Sequence, residues 1–369
     1  MRAAFYAPMK PANDPVPSGD RTFAQLILRA LETGGHDTRV ASRLKTWRAA
    51  PEDLPEAHAA AQGEAERIIG GWEAEGWRPE VWVTYHLYHK APDWIGPAVA
   101  DHFAIPYVVL EASRAPKRQT GPWAYGFAAA DAALQRADAV GAIHRADAGC
   151  LEPALPPDVL HLFPPFLDAT PFLKPRPALS EEGPVRLLAV GMMRPGDKEA
   201  SYRVLAEALA QLMDIDWELT LVGDGPSREI LAPLFPAARC HFAGALPPEA
   251  LPQQYLCHDV FVWPAIREAF GFVFLEAQAS GLPVAGGATF GVPDIVEDSR
   301  TGLLSPEGDS AALAASLRRL ILNRGLRSAM GGAARAHILS RHDLTAGAAR
   351  LDALLHAAQK HYLGVRTRP

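Results

Sequence analysis

The chain reads as an α/β protein made of two doubly wound, Rossmann-like halves, and three observations carry that expectation. Short β-branched apolar runs alternate with amphipathic helical stretches along most of its length. At 369 residues it is too long for one ordinary hydrophobic core and fits two. A stretch rich in proline, glutamate and glycine, Lys174 to Pro184, divides the alternation into two runs, as a linker would. The expected domains are 1–174 and 175–343, with a tail of about 344–369 that crosses back onto the first.

The first strand is Arg2 to Ala7, and Pro8 to Ser18 is a proline-rich loop. Between Asp20 and Thr33 the residues Phe23, Leu26, Ile27, Ala30 and Leu31 fall on one helical face. Gly34, Gly35 and His36 end that helix, and Asp37 to Ala41 is the second strand. Further strands are expected at Glu80 to Tyr85, Pro106 to Leu110 and Ala139 to Ile143. Such alternation means a mostly parallel sheet with helices on both faces. Ser18 suits a helix cap and Gly19 lets backbone approach a ligand, so this turn is either a phosphate or acceptor contact or an ordinary capped helix start. His86 and His89 follow a strand end; no further ligand cluster joins them, so no metal is expected. His86 is kept as an acceptor contact.

The second half repeats the pattern. Val185 to Val190 is a strand, Arg203 to Leu212 a helix, and Trp217 to Val222 a strand closed by Gly223, Asp224 and Gly225. Arg239 to Phe242 is another strand, and from Ala311 onward the chain is helical. Asp259 to Trp263 is a buried strand stopped by Pro264, and a helix runs from about Gly271 to Ser280, where Gly281 and Pro283 stop it. Glu268 and Glu276 lie eight positions apart across this loop and helix. The order strand, loop, helix, strand puts Glu268 at the carboxyl edge of a parallel sheet, where open α/β folds bind ligands. Amides near Phe270, Gly271 and Phe272 carry partial positive charge and suit phosphate or sugar oxygens. A carboxylate on either side can accept hydrogen bonds from a diol. Glu276 has almost wholly apolar neighbours, so a carboxylate there needs partners.

Bulk properties limit the function classes. With 49% hydrophobic and 21% charged residues the chain is globular, and a net charge of −6 argues against a nucleic-acid binder. Three cysteines without metal or disulfide spacing fit a reducing compartment. The first residues lack a signal peptide's apolar core and no run approaches a membrane span, so the expectation is a cytoplasmic protein. Ser113 to Gln119 is the one locally basic loop, followed by Trp123 and Tyr125. It is a solvated loop, a site for a phosphorylated acceptor, or a peripheral contact with the inner face of an anionic membrane.

The segment from Pro264 to Val284 resembles the E-x7-E motif of family 4 glycosyltransferases, retaining enzymes of the GT-B fold that use nucleotide-activated sugars. The resemblance runs in order from Met1 to about Arg350 and implies two Rossmann-like domains facing a central cleft. It implies a glycosyltransferase moving a sugar from a nucleoside diphosphate to an acceptor hydroxyl, with retention, in glycan or glycoconjugate synthesis. Glu268 would then hold sugar hydroxyls and Glu276 the ribose diol. Arg194 and Lys198, one a planar fork and the other a compact charge, would hold the diphosphate. Leu246, in the turn from Phe242, would border the nucleobase, and Gly225 the nucleotide. The resemblance implies no cofactor beyond the sugar nucleotide as substrate. The acceptor is left open among glycan, lipid and small molecule. Two departures stand out: the usual Gly-Gly pair is reduced to Ser18 and Gly19, and Glu111 stands where a histidine facing the donor sugar is common. Glu111 could steady an oxocarbenium-like transition state or bind the acceptor. Two other classes fit the same residues: another GT-B sugar-nucleotide enzyme, such as a hydrolase or epimerase, and a catalytically silent sugar-nucleotide binder.

Overall fold

A computed structural model describes residues 1–16, 18–176 and 183–366. The chain divides into two units, Met1–Pro165 with Leu344–Pro369, and Phe166–Asp343. Of the expected linker, residues 177–182 lie outside the described residues, as do Pro17 in the first loop and 367–369 in the tail.

The first unit begins with β1 (Arg2–Tyr6), α1 (Gly19–Thr33), β2 (Asp37–Val40), α2 (Leu54–Glu75) and β3 (Val81–Leu87). It continues through α3 (Ile95–Phe103), β4 (Tyr107–Ala112), α4 (Ala124–Gln135), β5 (Ala139–Ala142), α5 (Arg145–Leu151) and β6 (Leu160–Leu162). The sheet order is β2-β1-β3-β4-β5-β6, and every pairing is parallel. Such sheets are covered on both faces, which is why β3, β4 and β5 read as continuous apolar runs without strict alternation. One face packs Tyr6, Trp72, Trp82 and Tyr107 together, with Trp72 and Trp77 edge to face at 4.6 Å. The buried Asp93 carboxylate in this core is fully engaged: Thr84 and Tyr107 hydroxyls and the Ile95 and Gly96 amides donate to it. It thereby caps α3.

The second unit contains β7 (Val185–Val190), α6 (Asp197–Ala210), β8 (Trp217–Val222), α7 (Arg228–Leu231), β9 (Cys240–Gly244) and α8 (Leu251–Cys257). After them come β10 (Val260–Trp263), α9 (Phe272–Ala279), β11 (Val284–Ala288), α10 (Val292–Ile295), β12 (Gly302–Pro306), α11 (Ser310–Leu322) and α12 (Arg324–Arg341). Its sheet, ordered β12-β11-β10-β7-β8-β9, is parallel throughout. The last helix, α13 (Leu344–Arg366), returns to the first unit and packs on α1, β4 and β5 with Leu351, Leu354, Leu355 and Ala358 buried.

Chain order reverses between β1 and β3 in the first sheet and between β7 and β10 in the second. At such switch points the loops leaving adjacent strands diverge to opposite faces and open a crevice at the carboxyl edge. Several boundaries differ from the sequence expectation. The α6 helix starts at Asp197, six residues before the expected Arg203, because Gly196 at φ 91° turns the chain and Asp197 and Glu199 complement the positive helix start. Lys198 therefore stands in the first helical turn and not in the preceding loop. Gly19, expected in a loop, is the first residue of α1. Strands β3 and β4 run past their expected ends through His86 and Glu111. Among the described residues no helix is long and apolar enough to cross a membrane.

Candidate functional site

Both switch points gather residues singled out by the sequence. In the second unit, β10 ends in Trp263 and Pro264, and the loop to α9 bends through left-handed Ala265 and Arg267. Gly271, at φ 72°, delivers the chain into α9, and a side chain there would press on Glu268 and Phe274. Phe270, largely buried, meets Phe272 edge to face at 5.2 Å. These contacts fix the loop that carries Glu268.

The Glu268 carboxylate accepts hydrogen bonds from Lys198 on α6 and, at 3.3 Å, from the indole N–H of Trp263. The Lys198 ammonium also lies 5.3 Å from the Trp263 ring. Trp263 in turn meets Tyr202 edge to face at 5.0 Å, and the Tyr202 hydroxyl donates to the Gly191 carbonyl at 2.6 Å. Gly191 lies so close to the indole that a Cβ would come within 2.8 Å of it. One buried tryptophan thus positions the acid, the lysine and the loop after β7.

That loop is stitched to the turn after β8. Met193 N–H donates to the Asp224 carbonyl, and Ser227 N–H donates to the Met193 carbonyl, each at 2.9 Å. A Cβ on Gly223 would stand 1.9 Å from the Gly191 carbonyl oxygen, and one on Gly225 2.3 Å from that of Met193. Gly223 N–H donates to Gly244 at the end of β9, two residues before the half-buried Leu246. Arg194 projects from this loop exposed, and its guanidinium touches neither Glu268 nor Lys198.

Glu276, in the middle of α9, has the partner its apolar surroundings demand: the buried Tyr255 hydroxyl of α8 donates to its Oε2 at 2.7 Å. Desolvation pushes its carboxyl above the ordinary range, and the Tyr255 hydrogen bond opposes that rise. Tyr255 engages one carboxylate oxygen, so the other remains an acceptor for a ligand hydroxyl.

In the first unit the Ser18 hydroxyl caps α1, accepting from Arg21 N–H at 3.2 Å, and Gly19 opens the helix. Asp20 in that first turn lies 3.2 Å from His86 Nδ1, and the Glu111 carboxylate lies 3.7 Å from the same atom. His86 and Glu111 both adopt left-handed backbone, φ 67° and 59°, a conformation that costs non-glycine residues energy and must be held by its surroundings. Burial lowers the affinity of His86 for a proton, but Glu111 and Asp20 overcome it and raise its pKa. Burial likewise raises Glu111, whose Oε2 is shielded from solvent without a hydrogen-bond partner. His144 is structural: its Nδ1 accepts from Asp147 N–H at 3.1 Å and caps α5. Among the described residues no group of three or more His, Cys, Asp and Glu is placed to hold a metal ion.

Sequence reasoning missed Trp263, Tyr202 and Tyr255. Trp263 reads in the sequence only as an apolar member of a strand, Tyr202 falls just before the expected Arg203 to Leu212 helix, and nothing in a single sequence marks which aromatic residues the fold brings together. For Glu276 a signal did exist, since a lone carboxylate in an apolar helix must find a donor.

Residues 184–323 match the family model described as glycosyl transferases group 1. A 160-residue stretch is 36% identical to the sulfoquinovosyl transferase SQD2 of Arabidopsis thaliana, covering 42% of this chain and 31% of that protein. A 213-residue stretch is 32% identical to a GDP-mannose-dependent alpha-(1-6)-phosphatidylinositol monomannoside mannosyltransferase of Mycolicibacterium smegmatis, covering 54% and 55%. The chain thus spans less than two thirds of either relative. Among solved structures, a sucrose-phosphate synthase from Thermosynechococcus elongatus aligns with a TM-score of 0.72 at 20% identity, covering 96% of this chain and 98% of that one. Anabaena Alr3699/HepE in complex with UDP-glucose aligns at 0.69 and 17% identity, covering 97% and 100%. These likenesses show the GT-B fold.

Proposed function

We propose, from the match of residues 184–323 to the glycosyl transferases group 1 model, that the chain moves a glycosyl group from a nucleoside diphosphate sugar to an acceptor hydroxyl, with retention at the anomeric carbon. The observation that most supports this reading is the convergence of Lys198, Glu268 and Trp263 at the β7/β10 switch point, with Glu276 desolvated in α9, the helix that follows the Glu268 loop.

In this reading Lys198 and Arg194 hold the diphosphate and stabilise the charge that develops on it as the glycosidic bond breaks. They do so as preorganised cations, one fixed by Glu268 and Trp263 and the other free to fork onto two oxygens. Glu268 accepts hydrogen bonds from sugar hydroxyls, and the free oxygen of Glu276 accepts from the ribose diol. The first-turn amides at Gly271 and Phe272 face sugar or phosphate oxygens, while Gly225 and Leu246 border the nucleotide. The leaving phosphate assists removal of the acceptor proton, and no cofactor is required. Ser18, Gly19, His86 and Glu111 take part in acceptor recognition in the first unit.

Thermal stabilisation by UDP, GDP, ADP and CMP, measured on the native chain and on Glu276→Ala, tests the donor half of the proposal. A nucleotide at about a hundred times its dissociation constant adds roughly 2.7 kcal/mol. One base class should stabilise the native chain and not the variant. No stabilisation by any of them would defeat the reading. Once the donor is known, the anomeric configuration of the product, compared with the donor's by NMR, decides retention.

A further inference from the structure

The three loops that follow β2, β3 and β4 carry a charge opposite to that of the chain. Residues 41–51, 88–94 and 113–125 hold seven cations, Arg43, Lys45, Arg48, Lys90, Arg114, Lys117 and Arg118, and a single carboxylate, the buried Asp93, in a chain of net charge −6. Two of the seven are neutralised locally, Lys45 by Asp14 at 3.0 Å and Arg114 by Asp131 at 2.6 Å. The rest leave a positive surface, bounded along the chain by the acidic start of α2 at Glu52, Asp53 and Glu56.

The loops meet in space. Arg48 N–H donates to the Lys90 carbonyl at 2.9 Å, joining the first to the second. Lys90 Nζ lies 4.9 Å from the Trp123 ring, joining the second to the third, and Arg118 and Lys90 both depress the His89 pKa, after burial. Two large aromatic residues are exposed among them: Trp47, at 37%, and Tyr125, at 46%. Their polar tips are already spent inside the protein. The Trp47 indole N–H donates to the Tyr88 hydroxyl at 2.8 Å, and the Tyr125 hydroxyl shares a 2.6 Å hydrogen bond with His58 Nδ1, whose ring stacks on Trp94 at 4.7 Å.

We propose that this face docks the chain peripherally on an anionic lipid surface. Long cations on loops supply attraction that needs no fixed geometry, and each one close to such a surface contributes independently of the others. Tryptophan and tyrosine rings whose polar atoms are internally satisfied offer ring faces and edges to the interfacial region. Recognition of an anionic glycan would draw instead on directional donors, and here those of both exposed rings are committed. The proposal goes beyond glycosyl transfer and stands whether or not the donor reading holds.

Cosedimentation of the full chain, without nucleotide, with vesicles of phosphatidylcholine alone and of an equal mixture with phosphatidylglycerol tests it. Binding is expected to the mixed vesicles only and to fall with added salt. Lys117→Glu with Arg118→Glu should cut the bound fraction at least about tenfold, and Trp47→Ser several-fold, with thermal melts unchanged. Equal binding to both vesicles, no binding to either, or undiminished binding of the variants would overturn it. Retention on heparin without vesicle binding would also overturn it, in favour of an anionic glycan.

Discussion

At the scale of single residues, Trp263 holds together the acid, the lysine and the loop after β7 through one indole. Trp263→Phe keeps a ring beside Lys198 and loses the N–H to Glu268, whereas Trp263→Leu loses both. The phenylalanine variant should retain part of the nucleotide-induced thermal shift and the leucine variant almost none, a split that a purely structural role would not produce. Glu276 poses a different trade. Its carboxyl is raised by desolvation, so it favours the folded state fully below its unfolded pKa, and that contribution is lost as pH rises through the higher folded value. Glu276→Gln removes the titration. The variant should therefore gain stability relative to the native chain as pH climbs out of the carboxylate range, while losing its response to nucleotide. Parallel stability profiles for the two proteins, followed by chemical denaturation, would contradict this.

Elements place these residues by how they begin and end. The start of α6 at Asp197, just after Gly196, puts Lys198 on a rigid first turn, so its ammonium is aimed by helix geometry and by Trp263 together. The β7 and β8 loops are joined by backbone hydrogen bonds at close approach, which makes Gly223 sensitive to a single methyl group. At φ 135°, with the Gly191 carbonyl 1.9 Å from where a Cβ would stand, Gly223→Ala must push the two loops apart. The expected result is a loss of about 1–3 kcal/mol in unfolding free energy together with a weakened nucleotide shift. In the first unit His86 and Glu111 spend backbone energy to face one another at the ends of neighbouring strands. That strain fits a site better than a plain strand end.

For the whole molecule, the course of the chain matters more than any one element. The first unit is completed by α13, a helix that follows the entire second unit in sequence. Leu355 is fully buried on this helix, and Leu354 packs beside Gly141 of β5. Leu355→Ala should cost about 2–5 kcal/mol, read by denaturant unfolding, with the nucleotide shift of the second unit retained. Loss of that shift would mean that the terminal helix also governs the second unit.

The sequence by itself determined the α/β class, the parallel character of both sheets and the identity of the principal ionisable candidates. These properties are local: buried strands read as continuous apolar runs, helices as a 3.6-residue period, and Glu268, Glu276 and Lys198 as charges beside glycine turns. Even the need of Glu276 for a donor was legible, because an apolar helix advertises the cost of a lone carboxylate. Only the tertiary structure decided that Tyr255 is that donor, that Trp263 joins Glu268 to Lys198, and that Asp20 and Glu111 converge on His86. The reason is separation along the chain: Tyr255 lies 21 residues from Glu276 and Lys198 lies 70 from Glu268, while Asp20 and Glu111 reach His86 from 66 and 25 residues away. Their meeting depends on strand order, which reverses between β1 and β3 and between β7 and β10 without any mark in the local sequence.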